Sequence, residues 1–332
     1  MTETSASARF IEVRFVVEAN YAGWRLDRYL CEKIQRLSRS KVKQIIERDL
    51  CEEGLKPATL VRPGQALVLR RPARPEPVAP EGLPVVFEDD DLVVVDKPAG
   101  LAMHPTALYH EQTLVTRIRR LFPKDRPDPA HRLDRETSGL VICGKRPAVT
   151  GKLKAAFARG RARKSYLAVV EGHPPPEMDI DRPLAVGGEV IRVRTRVDRV
   201  LGKPARTLVS TLERRQSATG EPFALIRADP LTGRQHQIRA HLSAAGFPVV
   251  GDKIYGPDQN LFIRFAEGRL SPNDRRLLRL DRHALHASRL TLEHPIRGEL
   301  ETWESPLPRD IRAFLDSLSP IQADPIDHRG SR

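Results

Sequence analysis

A carboxylate between two guanidinium groups is the first feature of this sequence that could do chemistry. In the segment His131–Leu140 (HRLDRETSGL), Asp134 lies between Arg132 and Arg135 in a short loop that leads into an apolar run. Because nearby positive charge lowers the pKa of an aspartate, the pattern predicts an ionised Asp134. Such a carboxylate can act as a nucleophile or a base. Taken alone, the pattern is also typical of a surface salt-bridge cluster at a turn.

Basic residues followed by an aromatic ring form the second candidate. Arg159, Arg161, Arg163 and Lys164 precede Tyr166 at the start of an apolar run. Stacking of one nucleic-acid base on an aromatic ring contributes about 1–3 kcal/mol, and the cations could bind phosphate. The segment therefore indicates a site that stacks a base, the alternative being a core tyrosine on a buried strand.

The third candidate is the segment Thr232–Asp252 (TGRQHQIRAHLSAAGFPVVGD), in which a turn precedes a helical pattern. It places Arg239 near the start of a helix, and the alternative is a basic helix face on the surface. His236 and His241 are five residues apart, so they do not share a helical face as paired zinc ligands would. We predict no metal site.

The elements that must position these residues are strands and helices in irregular order. Apolar alternation and short apolar runs predict strands, and apolar residues at helical spacing predict helices. Because strands and helices do not alternate regularly, we expect an α+β fold with a mixed β-sheet and a cleft. Strands are predicted at 10–18, 61–69, 85–96 (two strands), 140–144, 166–170, 206–212 and 223–228, and helices at 25–37, from Ser38 onward, and at 234–245.

A proline-rich segment predicts the main domain boundary. Prolines 72, 75, 77, 80 and 84 remove backbone donors and stiffen the chain. We therefore predict a small α+β unit at 1–72 with a mobile N-terminal tail, a linker at 73–84, and a second, larger domain at 85–318. Residues 319–332 are predicted to be a disordered tail.

The charge balance indicates a polyanionic partner. The chain has 332 residues, a formal net charge of +13 and a pI of about 10.0. Basic residues that contact phosphates release counterions from nucleic acid. Residues 25–48 carry eight basic and three acidic side chains, which is typical either of a surface that contacts phosphates or of an ordinary solvated face.

The cysteines and the apolar runs bear on location. Cys31, Cys51 and Cys143 are far apart and form neither a disulfide framework nor a zinc pattern. The first ten residues are polar, unlike a signal peptide, and no run approaches the length of a membrane-spanning helix. We expect a cytoplasmic protein with no membrane contact.

Six segments, in this order, resemble the RluA-type family of RNA pseudouridine synthases from about residue 85 to residue 310. Residues 25–72 resemble the small αL RNA-binding module that many members carry, although Glu52 and Glu53 stand where the module has an apolar strand. The six segments are Asp96–Pro105 (DKPAGLAMHP), His131–Leu140 (HRLDRETSGL), Lys164–Gly172 (KSYLAVVEG), Thr232–Leu242 (TGRQHQIRAHL), Gly251–Gly256 (GDKIYG) and Leu285–Pro295 (LHASRLTLEHP).

The resemblance implies a set of site residues for the isomerisation of uridine to pseudouridine. Asp134 would be the essential carboxylate, Arg239 its basic partner, and Tyr166 the ring that stacks on the uracil. Arg132 would fill the gap left by the flipped base. The reaction needs no cofactor or metal, and we expect a monomer. The other residues expected to bind substrate are His131, Arg135, Lys164 and Ile238.

Several alternatives remain open at this point. The carboxylate could add to C6 of the ring, attack C1′, or take the C2′ proton to give a glycal. Large-subunit ribosomal RNA is the favoured substrate, and tRNA is the alternative. The competing classes are a non-catalytic RNA-binding assembly factor and an RNA phosphodiesterase that uses His131 or His236.

Overall fold

A computed structural model describes residues 10–34, 37–72, 76–106, 109–188, 191, 193–258 and 260–321. The chain divides into two compact units, Met1–Glu76 and Pro77–Arg332. The predicted N-terminal tail up to residue 9, linker residues 73–75 and the predicted tail from residue 322 lie outside the described residues.

The first unit pairs a two-stranded sheet with two helices. Strand β1 (Phe10–Val16) runs antiparallel to β2 (Ala66–Pro72). Between them lie α1 (Leu26–Lys33) and α2 (Arg39–Asp49). As predicted, Ser38 caps α2, since its hydroxyl accepts a hydrogen bond from the amide of Lys41 at 3.4 Å.

The core of this unit follows from the helical spacing of its apolar residues. Leu26 and Leu30 on α1, and Val42 and Ile46 on α2, are four residues apart and lie on one face of each helix. All four are buried in one cluster with Leu67 of β2. The apolar pattern in the sequence therefore specifies which face of each helix turns inward.

Glu52, the first of the two acidic residues after α2, is accommodated by hydrogen bonding. The Glu52 carboxylate accepts the amide of Val68 at 3.0 and 3.1 Å, and the Cys51 amide donates to the carbonyl of Val68 at 2.9 Å. Glu52 therefore satisfies a backbone donor of β2 with its side chain.

The second unit is built on one large sheet. Among the residues that the structure describes, eleven strands form this sheet, and two further strands, β9 (Leu184–Val186) and β10 (Thr195–Val197), pair with each other. The strands are β3 (Val85–Glu88), β4 (Leu92–Lys97), β5 (Asp128–Pro129), β6 (Ser138–Gly144), β7 (Arg163–Glu171), β8 (Glu177–Asp181), β9 (Leu184–Val186), β10 (Thr195–Val197), β11 (Arg206–Gln216), β12 (Pro222–Pro230), β13 (Leu285–Glu293), β14 (Leu300–Glu304) and β15 (Ser319–Pro320).

Helices cover this sheet and join its strands. The central order is β15-β11-β12-β7-β13-β6-β4-β3, with β13 and β6 parallel and the other neighbours antiparallel. This mixed sheet confirms the predicted α+β class. The helices are α3 (Leu114–Leu121), α4 (Pro147–Ala158), α5 (Gln237–Ala244), α6 (Leu261–Ala266), α7 (Pro272–Leu278) and α8 (Arg309–Asp316).

The short parallel contact between β6 and β13 depends on a glycine. Gly139 has a φ of +115°, and a Cβ atom there would lie 2.3 Å from the carbonyl oxygen of Ala287. Only glycine fits so close an approach. This contact fixes the point at which the loop carrying Asp134 enters the sheet.

Two sequence expectations differ from the structure. Ser319 and Pro320 were predicted to be disordered, but they pair with Gln216 and Arg215 of β11. The helix predicted at 234–245 begins only at Gln237, because the preceding residue adopts a left-handed backbone. None of the helices in the described ranges combines the length and the apolar character that a membrane crossing requires.

Candidate active site

Most of the predicted site residues line a cavity of about 950 Å³. Its walls come from the loop before β6, the end of α4, the start of β7, and the segment from the end of β12 into α5. Among the predicted residues, the lining includes His131, Arg132, Asp134, Lys164, Tyr166, Ile238 and Arg239, but not Arg135.

At one wall of the cavity, a guanidinium lies between two carboxylates. Arg239 donates from one terminal nitrogen to Asp134 Oδ2 at 2.9 Å. Its Nε and its other terminal nitrogen donate to Asp252 at 2.6 and 2.8 Å. Asp252 is fully buried and also accepts the amides of Ile254 and Tyr255 at 2.9 and 3.0 Å. Asp252 therefore holds Arg239 in the orientation that meets Asp134.

The electrostatic balance keeps Asp134 ionised. Burial by itself would raise the pKa of Asp134, but the charge and the hydrogen bond of Arg239 lower it below its ordinary value. The second oxygen, Oδ1, has no hydrogen-bond partner among the described residues, and His236 Nε2 is 3.8 Å away. Asp134 therefore presents one free carboxylate oxygen to the cavity.

The arginines next to Asp134 in sequence are not its partners. Arg132 has an exposed side chain at the cavity. Arg135 instead donates to the hydroxyl of Tyr109 and to Glu136, both at 3.0 Å. The expectation that the flanking guanidinium groups hold the charge of Asp134 was wrong, because neighbouring side chains on an irregular loop point in different directions.

Tyr166 lies near Asp134 at the start of β7. Its side chain is 8% exposed and lines the cavity. Burial, reinforced by the charge of Asp134, raises the pKa of the Tyr166 hydroxyl, so it is protonated at neutral pH. The ring therefore meets the cavity as a neutral surface beside the carboxylate, as stacking on a base requires.

His131 is a structural part of the cavity wall. Its ring packs against Phe157 at a tilt of 30° with centroids 4.5 Å apart, and its Nε2 accepts the amide of Ile142 at 3.3 Å. Burial lowers the pKa of His131 to about 3. The ring is therefore neutral, and its acceptor nitrogen is occupied, which argues against His131 as the base of a phosphodiesterase.

Lys164 and Ile238 complete the lining predicted from sequence. Burial lowers the pKa of Lys164, and this ammonium has no carboxylate partner among the described residues. Ile238 is 6% exposed and adds apolar surface at the start of α5. The cavity therefore offers an unpaired cation together with apolar walls.

Sequence reasoning gave no role to Lys97, which supports the loop carrying Asp134. It is fully buried, and its ammonium donates to the carbonyl oxygens of Pro98, Leu101 and Arg135 at 3.0, 3.0 and 3.1 Å. Burial lowers the pKa of Lys97 to about 7, although the charge of Asp134 opposes that shift. The segment DKPAG was part of the resemblance, but nothing local in it indicated this distant carbonyl contact.

Replacing Lys97 by methionine is expected to lower the free energy of unfolding by about 3 kcal/mol. One buried and two partly buried carbonyl groups lose their donor, and this loss outweighs the gain from no longer burying a charge. Urea unfolding followed by circular dichroism measures the change. The control is Lys124→Met at an exposed position, for which we expect no measurable loss. Equal stability of the two variants would contradict this role of Lys97.

Comparison with known proteins identifies the family. A model of the family described as RNA pseudouridylate synthase matches residues 91–244, which include Asp134, Tyr166 and Arg239. The ribosomal large subunit pseudouridine synthase D of Nitrosomonas europaea is 33% identical over 321 residues, covering 92% of this chain and 88% of that relative. The chain belongs to the RNA pseudouridylate synthase family.

Other members support the same membership and the fold of this RNA pseudouridylate synthase. The ribosomal large subunit pseudouridine synthase D of Zymomonas mobilis is 32% identical and covers 89% of this chain and 94% of its own. The solved structure of human RNA pseudouridylate synthase domain containing 1 superposes with a TM-score of 0.58 and 28% identity, over 74% of this chain and 91% of that one. The predicted enzyme class, an RNA pseudouridine synthase, is confirmed.

Proposed function

We propose that this enzyme converts specific uridines of large-subunit ribosomal RNA to pseudouridine, with Asp134 as the essential carboxylate. The observation that carries the proposal is the ionised Asp134, paired with Arg239 in a cavity that also contains Tyr166. The names of the relatives, ribosomal large subunit pseudouridine synthase D, support this RNA over tRNA. The proposal includes a monomer that acts in the cytoplasm.

The reaction needs a carboxylate that stays charged after RNA covers the site. The C1′–N1 bond breaks, the uracil turns, and C5 bonds to C1′. C5 loses its proton and N1 takes one up, so the product is an isomer of uridine. Two unit charges about 4 Å apart attract by roughly 4 kcal/mol at an effective dielectric near 20, so Arg239 opposes protonation of Asp134. Oδ1 faces the nucleoside and serves addition to C6, attack at C1′ or removal of the C2′ proton equally well.

The remaining lining is proposed to hold a flipped nucleotide. Tyr166 stacks on the uracil and Ile238 packs beside it, while Arg132 is exposed where it can fill the vacated position in the RNA. Lys164 contacts phosphate with its unpaired ammonium. Because flipping costs a few kcal/mol and least in unpaired RNA, we expect the target uridines in loops or bulges.

The first unit is proposed to be an RNA-binding module of the αL type. Of the seven described basic residues between 25 and 48, four pair with carboxylates, and the other three have no carboxylate partner among the described residues. These three, Arg28, Lys41 and Lys43, are exposed and are the candidates for phosphate contact. Arg36 lies outside the described residues. The pairs are Arg25–Asp27, Arg39–Asp27, Lys33–Glu18 and Arg48–Asp49.

Replacing Lys41 and Lys43 together by glutamine is expected to weaken RNA binding uniformly across RNA sequences. The slope of log affinity against log salt should fall in magnitude by about 1–2, because a complex with fewer phosphate contacts releases fewer counterions. Filter binding from low to high salt measures the slope. The control removes two charges elsewhere in the same unit, with Arg14→Gln and Arg70→Gln on β1 and β2. An unchanged slope for the lysine pair would show that this helix surface does not contact phosphate.

Release of tritium from RNA labelled at C5 of uridine tests the proposed function. We expect release from transcripts of large-subunit ribosomal RNA, with RNA of unchanged length and mass. Release only from tRNA would show that tRNA, not large-subunit ribosomal RNA, is the substrate. Shortened RNA would indicate a phosphodiesterase. No release from any cellular RNA would leave an RNA-binding protein without this activity. Mapping pseudouridines in a deletion strain then identifies the positions.

A further inference from the structure

One imidazole at the cavity is held by a contact that the proposed mechanism does not yet use. His236 Nδ1 lies 3.1 Å from the hydroxyl of Tyr255, and the two rings are perpendicular with centroids 5.8 Å apart. The side chain is 10% exposed and lines the cavity, with Nε2 3.8 Å from Asp134 Oδ1. Nε2 has no hydrogen-bond partner among the described residues, so it is available to a bound substrate.

The contacts of Tyr255 favour one position for the proton of this imidazole. The Tyr255 oxygen accepts the amide of Thr195 at 2.7 Å, and an amide can only donate. Burial raises the pKa of Tyr255 to about 12, so its hydroxyl keeps a proton that it can donate to His236 Nδ1. Burial also lowers the pKa of His236, against the opposing charge of Asp134, and keeps it neutral. A neutral imidazole that accepts at Nδ1 carries its proton on Nε2.

We infer that the Nε2–H of His236 donates a hydrogen bond to the O2 carbonyl of the flipped uracil, and that Tyr255 is the positioning residue that keeps the proton there. This inference rests on the proposed function. When C1′–N1 breaks, its electron pair remains on the uracil and is shared among N1, O2 and O4. O2 is carried by C2, the ring atom bonded to N1, so it takes up part of this charge directly. The proton stays on His236, and the hydrogen bond strengthens as charge develops on O2.

The backbone of His236 provides a way to separate this function from a structural one. His236 has φ 53° and ψ 18°, the left-handed conformation, directly before α5. Asparagine adopts this conformation more readily than most residues. The amide nitrogen of glutamine reaches about as far as Nε2, whereas that of asparagine reaches only about as far as Nδ1. A backbone role therefore favours His236→Asn, and a donor role favours His236→Gln.

Single-turnover tritium release with excess enzyme compares the two variants. We expect His236→Asn to slow release about 30-fold or more and His236→Gln to stay within about 5-fold of wild type, since removal of one such donor costs about 10²–10³ in other enzymes. RNA affinity, measured separately, should change little in either. The control makes the same two substitutions at His173, which should leave the rate unchanged. The ring of His173 contacts the carbonyl of Arg215 and does not line the cavity.

Tyr255→Phe tests the positioning role. In the wild-type background we expect it to slow release about 5-fold, because the imidazole proton is then no longer confined to Nε2. In His236→Gln we expect little further effect, because the glutamine amide nitrogen is a donor without Tyr255. Thermal unfolding of each variant checks that the fold persists. With an active wild type, three outcomes would overturn the inference. His236→Asn could release tritium faster than His236→Gln, or both variants could match the wild-type rate. The effects of Tyr255→Phe and His236→Gln could also be additive. An inactive wild type would instead refute the proposed function, and this inference with it.

Discussion

Asp134→Asn is expected to lower the rate of pseudouridine formation by at least about 10⁴-fold, the scale seen when a nucleophile or essential base is removed from other enzymes. The amide keeps the shape of the side chain but can neither add to the ring nor take a proton. Because Asp134 is only partly buried, with 20% of its side chain exposed, the fold and the RNA-binding surface should persist. RNA affinity should therefore stay within a few-fold of wild type.

The measurement is tritium release over a long time course, together with filter binding of the same RNA. Asp316→Asn, at an exposed position on α8, is the matched control and should turn over normally. Normal turnover by Asp134→Asn would show that Asp134 is not the essential carboxylate. Loss of both turnover and RNA affinity would point to a structural rather than a chemical role.

Asp252→Asn is expected to lower the free energy of unfolding by about 3–5 kcal/mol, the usual cost of breaking a buried ion pair. Asp252 is fully buried and accepts four hydrogen bonds, two of them from Arg239. The asparagine amide nitrogen would face a guanidinium donor, and Arg239 would lose the contact that orients it toward Asp134. Activity should therefore fall together with stability.

The pH dependence of this loss follows from the depressed pKa of Asp252. Arg239 lowers that pKa in the folded protein although burial opposes it. A carboxyl with a folded pKa below its unfolded value of about 3.9 stabilises the fold fully above that value. The contribution disappears as the pH falls toward the folded pKa. The stability difference between wild type and Asp252→Asn should therefore be largest near neutral pH and shrink in acid.

Urea unfolding at a series of pH values from 7 to 3 measures this difference. Asp281→Asn provides the control, since its side chain is almost fully exposed at 97% and should show no difference from wild type at any pH. A stability gap that stays constant down to pH 3 would show that the charge of Asp252 does not stabilise the fold.

Much of the architecture was predictable because the signals are local. The apolar run Leu140–Cys143 is fully interior in β6, as a central strand with two covered faces requires. The strand pair predicted at 206–212 and 223–228 forms as β11 and β12 in antiparallel register. These elements follow from side-chain periodicity, which depends on neighbours only a few residues away.

The sequence by itself predicted a set of site residues, through long motifs that also implied the pairing of Arg239 with Asp134. It predicted the wrong charge partners for Asp134, because Arg132 and Arg135 are near Asp134 in sequence but do not contact it. Tertiary structure alone decided that Asp252 orients Arg239, that Lys97 supports the loop, and that Tyr255 meets His236. The physical reason is that these contacts join residues of separate elements, such as Arg239 and Asp134, which are 105 positions apart. Their geometry is set by packing of the sheet and helices, which no local pattern encodes.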